Sequence, residues 1–287
     1  MQEAYFYNNP KNLIEMDSVE DIFNLIDNLT EMYLFRGVPD FSFNLKSSLE
    51  RSVRHYQTEN WLINEFQRSI HEYLPVESHP NNKFELLSLM QHHGVPTRMI
   101  DITKSPYVGL YFAASQYFYG EDNIRDGAIY AFMHQNLQSA STRNILKRSK
   151  FDFDVNWLSR FIKRDSKVFE EVFYNHQDDV ALIVEPFKVN KRLYAQQGLF
   201  LISNFNNKTT EQIIEVLLPK ELPQGSNDPT LMKIRIRGIL KIEILKRLDR
   251  MNINSSTLFP GIDGFSKYLS EKNIFTDMYT KNDMHGY

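Results

Sequence analysis

The sequence predicts an α+β fold, a mostly antiparallel sheet packed by helices. Helix-periodic segments crowd the first half and short strands the second, and the late strands follow one another at hairpin-like spacing. The regular β-α-β alternation of a doubly wound parallel sheet is missing. A length of 287 residues suits one large domain or two intimate ones.

Taken in order, the first helix is announced by Ser18 three residues before Asp21, a capping-box arrangement. Val19, Ile22, Phe23, Ile26 and Leu29 then recur at helical spacing. A short aromatic strand follows at 32–35 and ends on Arg36-Gly37. A long helix is predicted over about 58–74, stopped before Pro75, and the turn-rich stretch 75–82 reads as a loop. Residues 83–93 form the next predicted helix, with Gly94 just past its end and Pro96 beyond. A brief strand at 98–102 leads to Ser105-Pro106, an N-cap followed by a proline at the first helical position. The helix they open, 107–118, is apolar on nearly every side and should be buried.

Residues 127–133 read as a strand and 139–175 as helical and charged. Within that region 143–168 holds eight basic and three acidic side chains, while 169–187 holds five acidic and no basic ones, a polarised surface. Strands return at 180–184, 199–202, 213–218 and 232–237. In the last, Met232, Ile234 and Ile236 are expected inward and Lys233, Arg235 and Arg237 outward. That outer row is either the charged face of an edge strand or a phosphate-facing groove. Two helices, about 240–251 and 261–272, close the chain.

Composition narrows the chemistry. With no cysteine, disulfide frameworks, thiolate catalysis and thiolate metal sites are excluded. Lys and Arg number 33 against 36 Asp and Glu, so the net charge of −3 signals no nucleic-acid or membrane partner. The start of the chain shows no basic and apolar leader pattern, and its longest strongly apolar stretch, 108–114, is far too short to span a bilayer. A cytoplasmic location is the expectation.

No phosphate-binding glycine loop, zinc-protease, nucleophile-elbow or EF-hand motif occurs. His92 and His93 are adjacent, so on a helix they point about 100° apart and cannot chelate one ion from one face; no metal is expected. His93 aligns with Leu86, Leu89 and Met90 and reads as a core histidine. His92 aligns with Glu85 and Ser88 and is the better ligand contact.

Two segments depart from ordinary packing. In the first, Arg36 beside Gly37 could present its guanidinium fork to a phosphate or carboxylate while the missing Cβ admits a ligand; a surface salt bridge explains it equally. The second, QHHGVPTRMIDITKSP at 91–106, sets many hydrogen-bonding groups between an amphipathic helix and a buried one. An Arg98–Asp101 pair would hold that segment, and Thr103 and Ser105 stand at a helix N-terminus, where anions bind.

These residues carry a resemblance. YLFRG with LLSLMQHHGVPTRMIDITKSPYVGLYFAAS resembles the FRG domain family, whose Phe-Arg-Gly is Phe35-Arg36-Gly37 here. GAIYAF (127–132), RLYAQQGLFLIS (192–203) and TLFPGIDGFSKYL (257–269) are similar too. The resemblance implies one FRG domain over 1–287 with a core of about 17–272. Its pattern looks like a degenerate ADP-ribosyltransferase, which implies a split sheet and NAD as substrate. Arg36 would then hold an NAD phosphate beside Gly37, and Thr103-Lys104-Ser105 would match the family's Ser-Thr-Ser segment. His92, Arg98, Gln196 and Gly198 would complete the nucleotide contacts, with Arg192 as a second phosphate contact or a surface cation.

The third element departs from that pattern. Gln196-Gln197-Gly198 stands where such enzymes carry a catalytic Glu, and glutamine offers the ribose a hydrogen bond but no negative charge. Either Gln197 serves with another carboxylate, Asp101 or Glu185, or transfer is slow, or the domain only binds. The implied functions are therefore an ADP-ribosyltransferase or NAD glycohydrolase acting as a bacterial toxin or anti-phage effector, or a non-catalytic nucleotide or nucleic-acid binding module. Partners would be a nucleotide ligand, a protein or nucleic-acid acceptor, and an antitoxin or oligomer partner, with no membrane.

Overall fold

The computed structural model describes residues 13–29, 31–52, 57–115, 125–148, 158, 162–186, 190–205, 207–218 and 229–283. Within them a mixed seven-stranded sheet carries helices on both faces. In chain order the elements begin β1 Leu13–Glu15, α1 Val19–Asn28, β2 Tyr33–Val38, α2 Ser48–Ser52, α3 Gln57–Ser69, α4 Lys83–His92, β3 Met99–Thr103 and α5 Pro106–Ala114. They continue β4 Gly127–Met133, α6 His134–Arg148, α7 Ser166–Glu170, β5 Ala181–Val184, α8 Lys191–Ala195, β6 Gly198–Ser203 and α9 Thr210–Leu217. Last come β7 Leu231–Ile236, α10 Lys241–Arg250, α11 Ser255–Leu258 and α12 Ile262–Asp283.

The strand order is β1-β7-β4-β2-β3-β6-β5, antiparallel throughout except for the parallel β1–β7 pair. The sheet divides in the middle. β2 and β4 pair over six positions and β3 and β6 over five, whereas β2 and β3 share only Phe35 with Thr103. One apolar core runs across both halves, joining Leu34, Tyr130 and Phe132 to Ile100, Leu201 and α9. The remaining cores are separate: α1, α5 and α10 cover β2, β4 and β7, while α4 and α7 cover β3, β5 and β6. Helices thus part where the strands part, which leaves backbone edges and side chains open to approach.

Local signals explain most elements. Ser18 accepts from the Asp21 N–H and Ser105 from the Val108 N–H, each capping its helix. Gly94 takes a left-handed φ of 81° after α4, a conformation that costs glycine little. β4 falls on the predicted span, and α5 is buried as its all-round apolar character requires.

Several expectations are corrected. Residues 213–218 are not a strand: 213–217 lie in α9 and Leu218 is its C-cap, because Thr209 and Gln212 close a capping box that nucleates a helix. Ile213, Ile214 and Leu217 then sit on its buried face despite the β-branched pair. β2 does not end at Arg36 but runs on to Val38, and α3 stops at Ser69, with a 3₁₀ turn after it. Residues 139–175 form no single helix; the described parts are α6, α7 and a π turn over Glu171–Asn175. The end of the predicted 107–118 helix, 116–118, lies outside the described residues.

β7 is no edge strand, since β1 covers its outer side. Lys233 is buried over the rings of Phe41 and Tyr130, Arg235 bridges Glu15 and Asp126, and Arg237 pairs with Asp17. This row is engaged within the fold, Lys233 by rings and Arg235 and Arg237 by carboxylates, and not set out along an open groove. His93 is exposed at the end of α4, because its position already belongs to the cap and not to the apolar face.

Candidate functional site

The divided sheet sets up a crevice between β2 and β3. Phe35 sends its ring into the α1–α5 core, so the next residue, Arg36, turns its side chain toward β3. Its guanidinium donates to the Asp101 main-chain carbonyl at 2.7 Å and lies 3.7 Å from that residue's carboxylate, with 26% of the side chain exposed. Burial disfavours the charged guanidinium and lowers its pKa, an effect the Asp101 charge opposes. Among the described residues this is the guanidinium's only hydrogen bond, so most of its five N–H donors remain for a ligand.

Arg36, Gly37, Asp101, Thr103, Gln196 and Gly198 line this crevice together. A second crevice adjoins it through Asp101, Leu193 and Gln196, and is also lined by Gln91, His92 and Arg192. Asp101 is held from this side too, by the Gln91 amide at 3.0 Å. Both crevices are narrow, about 20 and 30 Å³. Each interior holds roughly one water, and anything larger must sit at the mouth.

Residues 31–121 match the model of the FRG domain family. That stretch of the chain is an FRG domain. No curated protein and no solved structure matches the chain. The matched stretch contains β2, β3 and α5, hence Arg36, Asp101 and Thr103; the α8–β6 side of the crevice lies beyond it.

The FRG glycine works differently from the expectation. A Cβ on Gly37 would stand 2.0 Å from the Gly109 carbonyl oxygen and 2.7 Å from the Ala113 nitrogen, so its missing side chain admits α5 and not a ligand. Phe35 and Gly37 therefore seat β2 on α5, and that seating aims Arg36 at the crevice.

Thr103 and Ser105 tie the crevice together. The Thr103 hydroxyl donates to the Gln196 carbonyl at 2.7 Å and accepts the Ser105 N–H, while the Ser105 hydroxyl caps α5. Thr103 lines the crevice and Ser105 does not. Gln196 is buried and sends its amide to the Leu258 carbonyl at 3.0 Å, bracing α8 against α11. Gln197 is exposed in a left-handed backbone of φ 46°, outside both crevices, and its carbonyl accepts the Lys104 N–H.

Arg98 lies elsewhere. It is 1% exposed and pairs with Glu59 at 2.6 Å, not with Asp101, and it also donates to the Phe173 carbonyl under the Tyr174 ring. Asp101 instead takes Arg36. Glu185, the other candidate carboxylate, is half exposed and bound to Lys104 at 2.5 Å. His92 opens on the second crevice, with Nδ1 3.2 Å from the Asn190 amide. Burial, then His93 and Arg192, lower its pKa and favour the neutral ring.

Sequence reasoning overlooked Glu59 and Asn190, and it named Gln91 only as part of the polar 91–106 segment. Asn190 carried a usable signal, since it caps α8 by accepting the Leu193 N–H three residues on. Among the described residues no helix is long and apolar enough to cross a membrane, and no three His, Asp or Glu gather as a metal site.

Proposed function

We propose that this FRG domain binds a nucleotide, NAD or a close relative, with Arg36 as its phosphate contact at the mouth of the β2–β3 crevice. The observation that carries this reading is the guanidinium of Arg36, partly buried, hydrogen-bonded among the described residues to one main-chain carbonyl and 3.7 Å from the Asp101 carboxylate, with N–H donors left over for a ligand. A planar fork of that kind matches two phosphate oxygens at once. Gln196 and Gly198 supply the opposite wall.

Transfer chemistry at this site would need negative charge beside the ribose as nicotinamide leaves. Asp101 is the carboxylate that lines the crevice, and its position between Arg36 and Gln91 makes it the candidate for that role in place of the missing Glu. Glu185, bound to Lys104, is not among the lining residues. Incubation of the purified protein with NAD, followed by measurement of free nicotinamide, tests this. Release that disappears in Asp101→Asn supports ADP-ribosyl transfer or hydrolysis. Binding without release assigns the domain to nucleotide recognition alone.

A further inference from the structure

The second crevice opens further, onto a cavity of about 300 Å³, with Ser88, His92 and Asn190 as shared walls. Shared residues thus link Arg36, through Asp101 and Gln196, to Arg192 and His92, and onward to Glu85 and His79. A volume near 300 Å³ is at the lower bound for small-molecule pockets, enough for a ring system.

The chemistry changes along this path. At the crevice end stand two guanidiniums, Arg36 and Arg192. Arg192 lies 4.9 Å from the Phe259 ring and pairs with no acidic group among the described residues. At the cavity end the lining is apolar at Pro80, Phe84, Leu89 and Pro186, with a few polar groups. Glu85 accepts the Asn81 N–H with one carboxylate oxygen, which leaves the other as an acceptor. The Asn190 side-chain oxygen is committed to the Leu193 N–H, so its amide nitrogen faces His92 and donates to Nδ1. The neutral His92 ring therefore carries its proton on Nε2 and is a donor.

We propose that the cavity bounded by Glu85, Ser88 and His92 is a base subsite, and that the ligand is an adenine nucleoside diphosphate whose phosphates lie at the mouths of the Arg36 and Arg192 crevices. This rests on the preceding reading that Arg36 holds a nucleotide phosphate. An acceptor carboxylate beside a donor imidazole complements adenine, whose exocyclic amine donates and whose ring nitrogens accept. Hypoxanthine presents a carbonyl in place of that amine, and two acceptors would then oppose each other across Glu85.

The test is calorimetric titration with ADP, IDP and inorganic pyrophosphate. ADP should bind at least tenfold tighter than IDP, and Glu85→Gln should shrink that preference below threefold. Ser88→Trp, which fills the junction of crevice and cavity, should weaken ADP at least tenfold more than it weakens pyrophosphate. Circular dichroism reports whether each variant is folded, and the near-isosteric Glu85→Gln serves if Ser88→Trp is not. Equal affinity for ADP and IDP, no ADP binding, or an unaltered ADP affinity in folded Ser88→Trp overturns the base subsite. If Arg36→Ala abolishes pyrophosphate or NAD binding in those cases, the phosphate reading stands without it; ADP affinity indifferent to Arg36→Ala removes both.

Discussion

The Arg36 guanidinium donates to the main-chain carbonyl of Asp101 at 2.7 Å, across the place where β2 and β3 share a single residue pair. A side chain thus supplies a cross-strand bond where the ladder has stopped. Arg36→Ala should lower unfolding stability by about 1.5–3 kcal/mol, as for hydrogen bonds to charged groups. Urea denaturation measures it. A loss below that range means the two half-sheets are held by the continuous core alone.

Glu59 and Arg98 form a pair with both side chains almost wholly out of solvent. Replacing Glu59 by Ala leaves a buried guanidinium facing the Tyr174 ring and the Phe173 carbonyl without its counter-charge. The expected cost is about 3–5 kcal/mol, read from the denaturation midpoint. Glu59→Gln, which keeps an acceptor, should cost less.

Gly37→Ala places a methyl 2.0 Å from the Gly109 carbonyl oxygen, against backbone that cannot swing aside. The strand or α5 must move, at a cost of about 1–3 kcal/mol or more. Because the same seating aims Arg36, nucleotide affinity should fall as well. A variant with native melting temperature and native affinity would contradict this account of the FRG glycine.

Glu215 on α9 has its pKa raised from 4.5 to about 7, by burial first and then by the Glu211 charge. A carboxyl that holds its proton more tightly when folded stabilises the fold at low pH. That contribution is complete below 4.5 and is lost as pH rises through 7. Glu215→Gln, permanently neutral, should therefore be more stable than the parent at pH 8, with the difference vanishing toward pH 4.5. Melting temperatures across that range, with a parallel pair of curves as the contrary result, decide it.

What the sequence makes legible here is local. The Ser18 and Ser105 caps, the Gly94 helix end and the span of β4 follow from residues a few positions apart. α9 was obscured because Ile213-Ile214 favours a strand until the Thr209–Gln212 capping box is weighed. The partner of Arg98 was not legible, since Glu59 lies 39 positions away on α3 while Arg98 precedes β3, and no spacing rule connects them. The resemblance puts Arg36, Thr103, Ser105 and Gln197 on one cleft; Arg36 and Thr103 do line the crevice, with Asp101 and Gln196, whereas Ser105 and Gln197 lie outside it. The cavity beyond His92 was not legible, because its walls come from 78–92 and from Pro186 and Asn190, which only the fold brings together.

The central claim is that Arg36 is the phosphate contact of a nucleotide site. Titration of NAD into the parent protein and into Arg36→Ala, both verified as folded, tests it most directly. The account predicts saturable binding by the parent and at least a tenfold loss in the variant, or about 1.4 kcal/mol. Unchanged affinity in Arg36→Ala, or no binding by the parent, would contradict it.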